Sequence, residues 1–222
     1  MAAKNNKTYF ITATDTCVGK TITTFVLGVL FQSKGIAAGV LKPVQCAGDD
    51  AQFLKTRLNL IDDLSLINPI FVNEALSPHL ALRRARKLFD IKKVMHAYQE
   101  LKKRHDVVLI EGAGGLMVPL KDNYYNADLI KAMNAKLIIV SRLGLGTINH
   151  TLLTIHCARA WGLTIQGIIF SKVKPGKMGV AEKTNAAQIE RLSGVKVLGT
   201  IPFLKTKTRA EVLRLCKNIN VN

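Results

Sequence analysis

The residues best suited to chemistry sit in one short turn. Ala13, Thr14, Asp15, Thr16, Cys17, Val18, Gly19, Lys20 and Thr21 follow a β-rich run at 9–13 and open a helical pattern at 20–33. A Gly-Lys-Thr tripeptide is common by chance, but a strand before it and a helix after it make it a phosphate cradle. Successive backbone N–H groups in such a turn wrap phosphate oxygens, and the helix N-terminus adds partial positive charge. Lys20 can then reach the β and γ phosphates of a nucleoside triphosphate, and the Thr21 hydroxyl can ligate Mg²⁺. The turn reads as a P-loop in which Ala13 and Thr14 stand where the leading glycine is usual.

Other groups could join it. Glu111 ends the apolar run at 106–111 and precedes Gly112, Ala113, Gly114 and Gly115. A carboxylate at the carboxyl end of a buried strand lies where open α/β sheets bind ligands. The small residues after it allow close backbone approach, which argues against a merely solvated strand-end acid. Lys42, before Pro43 in the run at 36–44, either points at the same crevice or is simply solvated. Asp50 sits at the start of the helical stretch 49–58 and could help hold Mg²⁺, although the helix dipole alone favours an acid there. Gly144, Leu145, Gly146, Thr147, Ile148, Asn149 and His150 open a further helix, whose exposed N–H groups suit a carboxylate. The plainer reading of that stretch is a Thr147 cap, with His150 packing or hydrogen-bonding.

Positioning these groups needs a scaffold, and the hydropathy pattern supplies one. Strand-like runs at 9–13, 36–44, 106–111, 136–141, 166–171 and 195–201 alternate with helical patterns at 20–33, 49–58, 91–104, 126–134, 147–161, 180–193 and 208–217. The stretch 59–78, with Pro69 and Pro78, is irregular. Continuous apolar strands between amphipathic helices predict an α/β fold, a mostly parallel central sheet with helices on both faces. The 222 residues are expected to form a single domain over 1–222.

Composition narrows the function classes. Apolar residues at 48% and charged residues at 21% describe a globular chain rather than a disordered one. No apolar run approaches the roughly 18–20 residues of a membrane span, and the polar, basic start at 1–7 lacks the apolar core of a signal peptide. A cytoplasmic location without a membrane partner is therefore expected. The four cysteines, Cys17, Cys46, Cys157 and Cys216, form no CxxC and read as reduced thiols. The net charge of +17 suggests an anionic partner. The densest clusters are Arg83, Arg84, Arg86 and Lys87, then Lys102, Lys103 and Arg104, then Lys205, Lys207 and Arg209. They lack interleaved aromatics, so a nucleic-acid partner is not expected.

The ordered set of motifs resembles the dethiobiotin synthetases. The matching pieces are the turn at 14–21, Lys42–Pro43–Val44, Asp50–Ala51, Ser77–Pro78–His79, Glu111 to Gly115, Pro119–Leu120, the stretch 144–154 and Gly199 to Pro202, which together span nearly the whole chain. The resemblance implies an ATP- and Mg²⁺-dependent ligase that closes a ureido ring on 7,8-diaminopelargonate with CO₂. A carbamate forms on one amine, takes the γ-phosphoryl group, and the second amine displaces phosphate. Such chemistry asks for positioning and charge neutralisation. It implies catalytic roles for Lys42, Lys20 and Thr16. It implies nucleotide contacts from Asp15, Thr16, Cys17, Val18, Gly19, Lys20, Thr21, Glu111, Gly112, Ala113, Gly114, Ser171 and Pro202. Substrate contacts would come from Thr16, Lys42, Cys46 and Gly114, and from Thr147, Ile148 and Asn149 across a homodimer interface. Thr21, Asp50 and Glu111 would hold Mg²⁺. Cys17 stands where the family often has an acid, Cys46 where it often has a hydroxyl, and Ser171 where it commonly has a base-reading asparagine. Weaker base discrimination is the expected consequence. A partition or septum-site ATPase would share the fold but carry an early P-loop lysine where this chain has Asp15. A cobyric-acid-type amidotransferase would need a glutaminase domain as well.

Overall fold

The computed structural model describes residues 6–221; residues 1–5 of the basic start read at 1–7 lie outside the described residues. The chain begins with β1 (Lys7–Ala13), α1 (Lys20–Ser33), β2 (Ala38–Leu41), β3 (Gln45–Cys46) and α2 (Asp50–Arg57). It continues through α3 (Leu64–Ile67), β4 (Phe71–Val72), α4 (Pro78–Arg84), α5 (Ile91–Arg104) and β5 (Val107–Gly115). Then come β6 (Pro119–Lys121), β7 (Tyr124–Tyr125), α6 (Asn126–Ala132), β8 (Lys136–Arg142) and α7 (Thr147–Ala160). The last elements are β9 (Ile165–Ser171), α8 (Val180–Ser193), β10 (Val197–Ile201) and α9 (Arg209–Leu215).

A six-stranded sheet runs in the order β10-β9-β8-β1-β5-β2, and every pairing in it is parallel. Side chains alternate across a strand, so each strand feeds a core on either face. Tyr9 and Ile11 enter one core and Phe10 the other. Val108 and Ile110 face away from Leu109 in the same way, and Leu137 and Ile139 away from Ile138 and Val140. This two-sided burial is why the strands read as unbroken apolar runs. Helix α5 shows the matching helical period. Val94, Ala97, Tyr98 and Leu101 are buried along one stripe, while Lys92, Lys93, His96 and Gln99 face solvent.

The strand order does the positioning. β1, β5 and β2 are neighbours, and their registers pair Ile11 with Glu111 and Leu41 with Ile110. The carboxyl ends of these strands therefore bring the 13–21 turn, Glu111 and Lys42 to one edge of the sheet, beside the point where the strand order reverses. Strand β2 stops short of the predicted 36–44 run. Pro43 has no N–H to give a ladder, and the Lys42 N–H is taken by the Ile67 carbonyl at 2.6 Å. The irregular stretch 59–78 contains α3, β4 and the first residue of α4.

Candidate active site

The P-loop turn owes its shape to residues in left-handed backbone conformations. Gly19 (φ 105) precedes α1, and Cys17 (φ 57) adopts the same region at the cost of its side chain. No side chain caps α1 and no acid lies in its first turn, so its free N–H groups make an uncompensated anion site. A side chain at position 19 has no room, since a Cβ there would come 2.4 Å from Ser171 Oγ.

The charged groups gather behind this turn. Glu111 is fully buried, and its Oε1 accepts from the Thr21 hydroxyl at 2.9 Å and from Lys42 Nζ at 2.5 Å. Lys42 also bonds Asp50 Oδ2 at 2.5 Å. Burial works against the Lys42 charge, but Glu111 and then Asp50 overcome it and hold the lysine above its usual pKa. Lys20 is almost as buried and has no such partner; desolvation carries its pKa below the usual value, with Glu111 pulling the other way. Glu111 Oε2 has no hydrogen-bond partner. A buried, unpartnered carboxylate oxygen with a hydroxyl and a second carboxylate close by is the hard oxygen set that Mg²⁺ prefers, completed by water and phosphate.

A cleft of about 710 Å³ opens over these groups. Its wall includes Thr16, Cys17, Gly19, Lys20, Thr21, Lys42, Cys46, Asp50, Glu111, Gly112, Ala113 and Gly114. Burial keeps the Cys46 thiol above its ordinary pKa, although Lys42 opposes this. Val18 instead packs into the core at 3% exposure, anchoring the turn. Asp15 and Thr16 line a second, more open cleft of about 520 Å³ with Leu116, Met117, Leu153, Thr154 and Cys157.

The remaining predicted residues lie elsewhere. Ser171 ends β9, buried beneath Gly19 and off the cleft wall. Pro202 follows β10 next to it, where the Lys172 N–H bonds the Ile201 carbonyl at 2.9 Å. Thr147 is buried with its hydroxyl on the Arg142 carbonyl at 2.5 Å, Ile148 packs against the core, and Asn149 is exposed. No side chain caps α7, which follows Gly146 at φ 87. These three residues are absent from the wall of the phosphate cleft.

Sequence reasoning missed the supports. Gln45 is buried and takes the Ala51 N–H at 2.9 Å while donating to the Gly48 carbonyl at 2.7 Å, fixing the turn that delivers Asp50. Asn126 donates to the Ala113 and Gly115 carbonyls, each at 2.8 Å, and holds the small-residue strand end. Asn126 reads in the sequence only as the start of the 126–134 helical pattern, and Gln45 falls between the runs at 36–44 and 49–58; nothing in their spacing announced the task.

A parallel sheet with an uncapped helix after its central strand, and a lysine and carboxylate at the neighbouring strand ends, defines a P-loop nucleotide-binding protein. A family model described as an AAA domain matches residues 7–211. The fold is similar to a ParA family ATPase from Chlorobium tepidum, with a TM-score of 0.57, 13% identity and coverage of 96% of each chain. In sequence the chain is 37% identical over 194 residues to the ATP-dependent dethiobiotin synthetase BioD of Methanococcus vannielii, covering 86% of this chain and 92% of that one. It is 40% identical over 216 residues to the enzyme of the same name from Bacillus thuringiensis, covering 94% and 89%. The chain belongs to the ATP-dependent dethiobiotin synthetase family.

Proposed function

We propose that this protein is an ATP-dependent ligase of biotin biosynthesis that closes a ureido ring on 7,8-diaminopelargonate with CO₂, releasing ADP and phosphate. The observation that carries the reading, beside family membership, is the buried Lys42 held between Glu111 and Asp50 behind the P-loop. A lysine kept charged at that place suits a substrate whose carbamate and γ-phosphate bring two anions together. Lys20 and the N–H groups of α1 neutralise the phosphates, and Thr16 on the cleft wall contacts the carbamate end. Gly112, Ala113 and Gly114 let backbone approach the substrate. Thr21, Asp50 and Glu111 would hold Mg²⁺, which when bound supplies charge neutralisation between the phosphates.

The working enzyme in this proposal is a homodimer. The second cleft adjoins the P-loop, and its rim residue Leu153 on α7 is 60% exposed; Leu145, in the turn before the same helix, is 92% exposed. Apolar side chains so exposed beside a cleft fit a partner subunit that completes the diamine site, with its Thr147–Asn149 helix start facing the substrate carboxylate. Among the described residues no helix is long and apolar enough to cross a membrane.

The deciding assay is phosphate release from ATP with 7,8-diaminopelargonate and bicarbonate. Release should depend on the diamine and vanish in Lys20→Ala. Release that ignores the diamine would overturn the assignment.

A further inference from the structure

Ser77 and His79 belong to a motif that the site chemistry above leaves without a task. Strand β4 pairs with β3, matching Cys46 with Val72, and the segment after β4 carries Ser77 to the cleft wall, which Cys46 and Ala47 also line. Ser77 is the residue before α4. A serine there ordinarily accepts from the backbone N–H of the second or third helical residue. Asp90 before α5 and Thr208 before α9 make such caps, but Ser77 makes none. Its Oγ instead lies 2.9 Å from Nδ1 of His79. His79 is half-buried and off the cleft wall, so the hydroxyl connects the cleft to an imidazole that still touches water.

Resting on the ring-closing reading above, we propose that Ser77 and His79 form a proton relay that serves the attacking amine. The amine lone pair forms the C–N bond to the carbonyl carbon of the carbamic–phosphoric anhydride. The C–O bond to phosphate breaks, and phosphate leaves with that electron pair. The proton lost by nitrogen passes to Ser77 Oγ as the Ser77 proton passes to His79 Nδ1, and the imidazolium returns its extra proton to water. The accepting form is the neutral imidazole with its hydrogen on Nε2. Two other cleft groups are committed elsewhere: Lys42 is held charged by its carboxylates, and the Thr21 hydroxyl is given to Glu111.

The titratable groups packed around the relay are engaged with other partners or uncharged. Helix α4 packs on β3 and β6. On α4 itself, Arg83 is paired with Asp122 and Arg84 with Glu74. From β3 comes the Cys46 thiol, kept protonated by burial, and from β6 comes Lys121, which sits over the Tyr124 ring.

The test uses the full chain and the diamine-driven phosphate release assay on Ser77→Ala, His79→Ala and His79→Asn. The asparagine keeps a polar group near the Nδ1 position but no basicity. All three should lose roughly 10²-fold in kcat, the scale of a positioned general base. KM for the diamine should stay within about threefold, as expected when only the transition state is touched. The fall of kcat on acidification should flatten in the His79 variants, and added imidazole should restore part of the rate to His79→Ala. Melting temperature and nucleotide binding should match the unaltered protein. Full activity in His79→Asn, or an unchanged acid limb with no imidazole rescue, would overturn the relay. Absence of diamine-dependent release from the unaltered protein would instead sink the ring-closing reading itself.

Discussion

Replacing Lys42 with methionine keeps the length of the side chain and removes its charge. Across 2.5 Å at an effective dielectric near 20, the attraction to Glu111 is about 7 kcal/mol before desolvation is subtracted. Removing Lys42 leaves the Glu111 carboxylate at 0% exposure with only the Thr21 hydroxyl as a donor. Breaking a buried pair from one side costs about 3–5 kcal/mol. The Asp50 arm adds little, because its side chain is 41% exposed and water screens it. A loss of about 3 kcal/mol is expected, which lowers the melting temperature by roughly 6–12 °C for a chain of this length. The companion variant Lys42→Met/Glu111→Gln removes both charges and should recover most of that loss while remaining inactive. Denaturant titration of the singles and the double, without nucleotide or metal, reads the coupling. A single variant losing under about 1 kcal/mol, or a double whose loss is the sum of the singles, would refute the reasoning. The pH dependence has a defined sign. Lys42 has a folded pKa above its unfolded value, so its contribution is complete below about 10.5 and fades as pH rises through the folded value.

Lys20→Met should behave oppositely: the charge sits desolvated without a carboxylate bond, so the nucleotide-free protein should melt at the same or a higher temperature while ATP binding, read by calorimetry, collapses. A clear drop in melting temperature would count against that account. Gly19→Ala should cost about 1–3 kcal/mol through strain at φ 105, and more through the clash with Ser171, with nucleotide affinity falling alongside; normal affinity would mean the turn is not rigid. Leu153→Asp should convert a dimer to a monomer in sedimentation velocity and abolish diamine-dependent turnover, whereas a fully active monomer would remove the shared-site reading. ATP, GTP and CTP should support comparable turnover because the Ser171 hydroxyl is buried off the cleft wall; strict ATP selectivity would contradict this.

Much of the scaffold was legible because long elements carry their own periodicity. The helical patterns at 20–33, 91–104 and 180–193 coincide with α1, α5 and α8. The apolar runs at 9–13, 136–141 and 166–171 lie within β1, β8 and β9 or match them to a residue. What escaped was held by distant partners. Helix α3 and strand β4 are too short to show a period, and they are fastened by the Lys42 and Gln45 N–H groups meeting the Ile67 and Ile70 carbonyls. Strand β5 runs on to Gly115 because Ala13 pairs with it, which a glycine-rich stretch does not advertise. Lys42, Asp50 and Glu111 each read as a residue near an element's end. That they would touch depended on β5 lying between β1 and β2, an order that no local pattern encodes.

The close packing of Ser171 against Gly19 joins the end of β9 and the P-loop into one mechanical part. β9 lies two strands from β1, yet its last side chain fills the space that a side chain at Gly19 would need. Bulk at one position is therefore traded against bulk at the other. A larger side chain at 171, such as an amide long enough to read a base, must swing out over the cleft or lift the phosphate turn. Redesigning the base preference of this protein is thus also a redesign of its P-loop, and the two positions should be varied together.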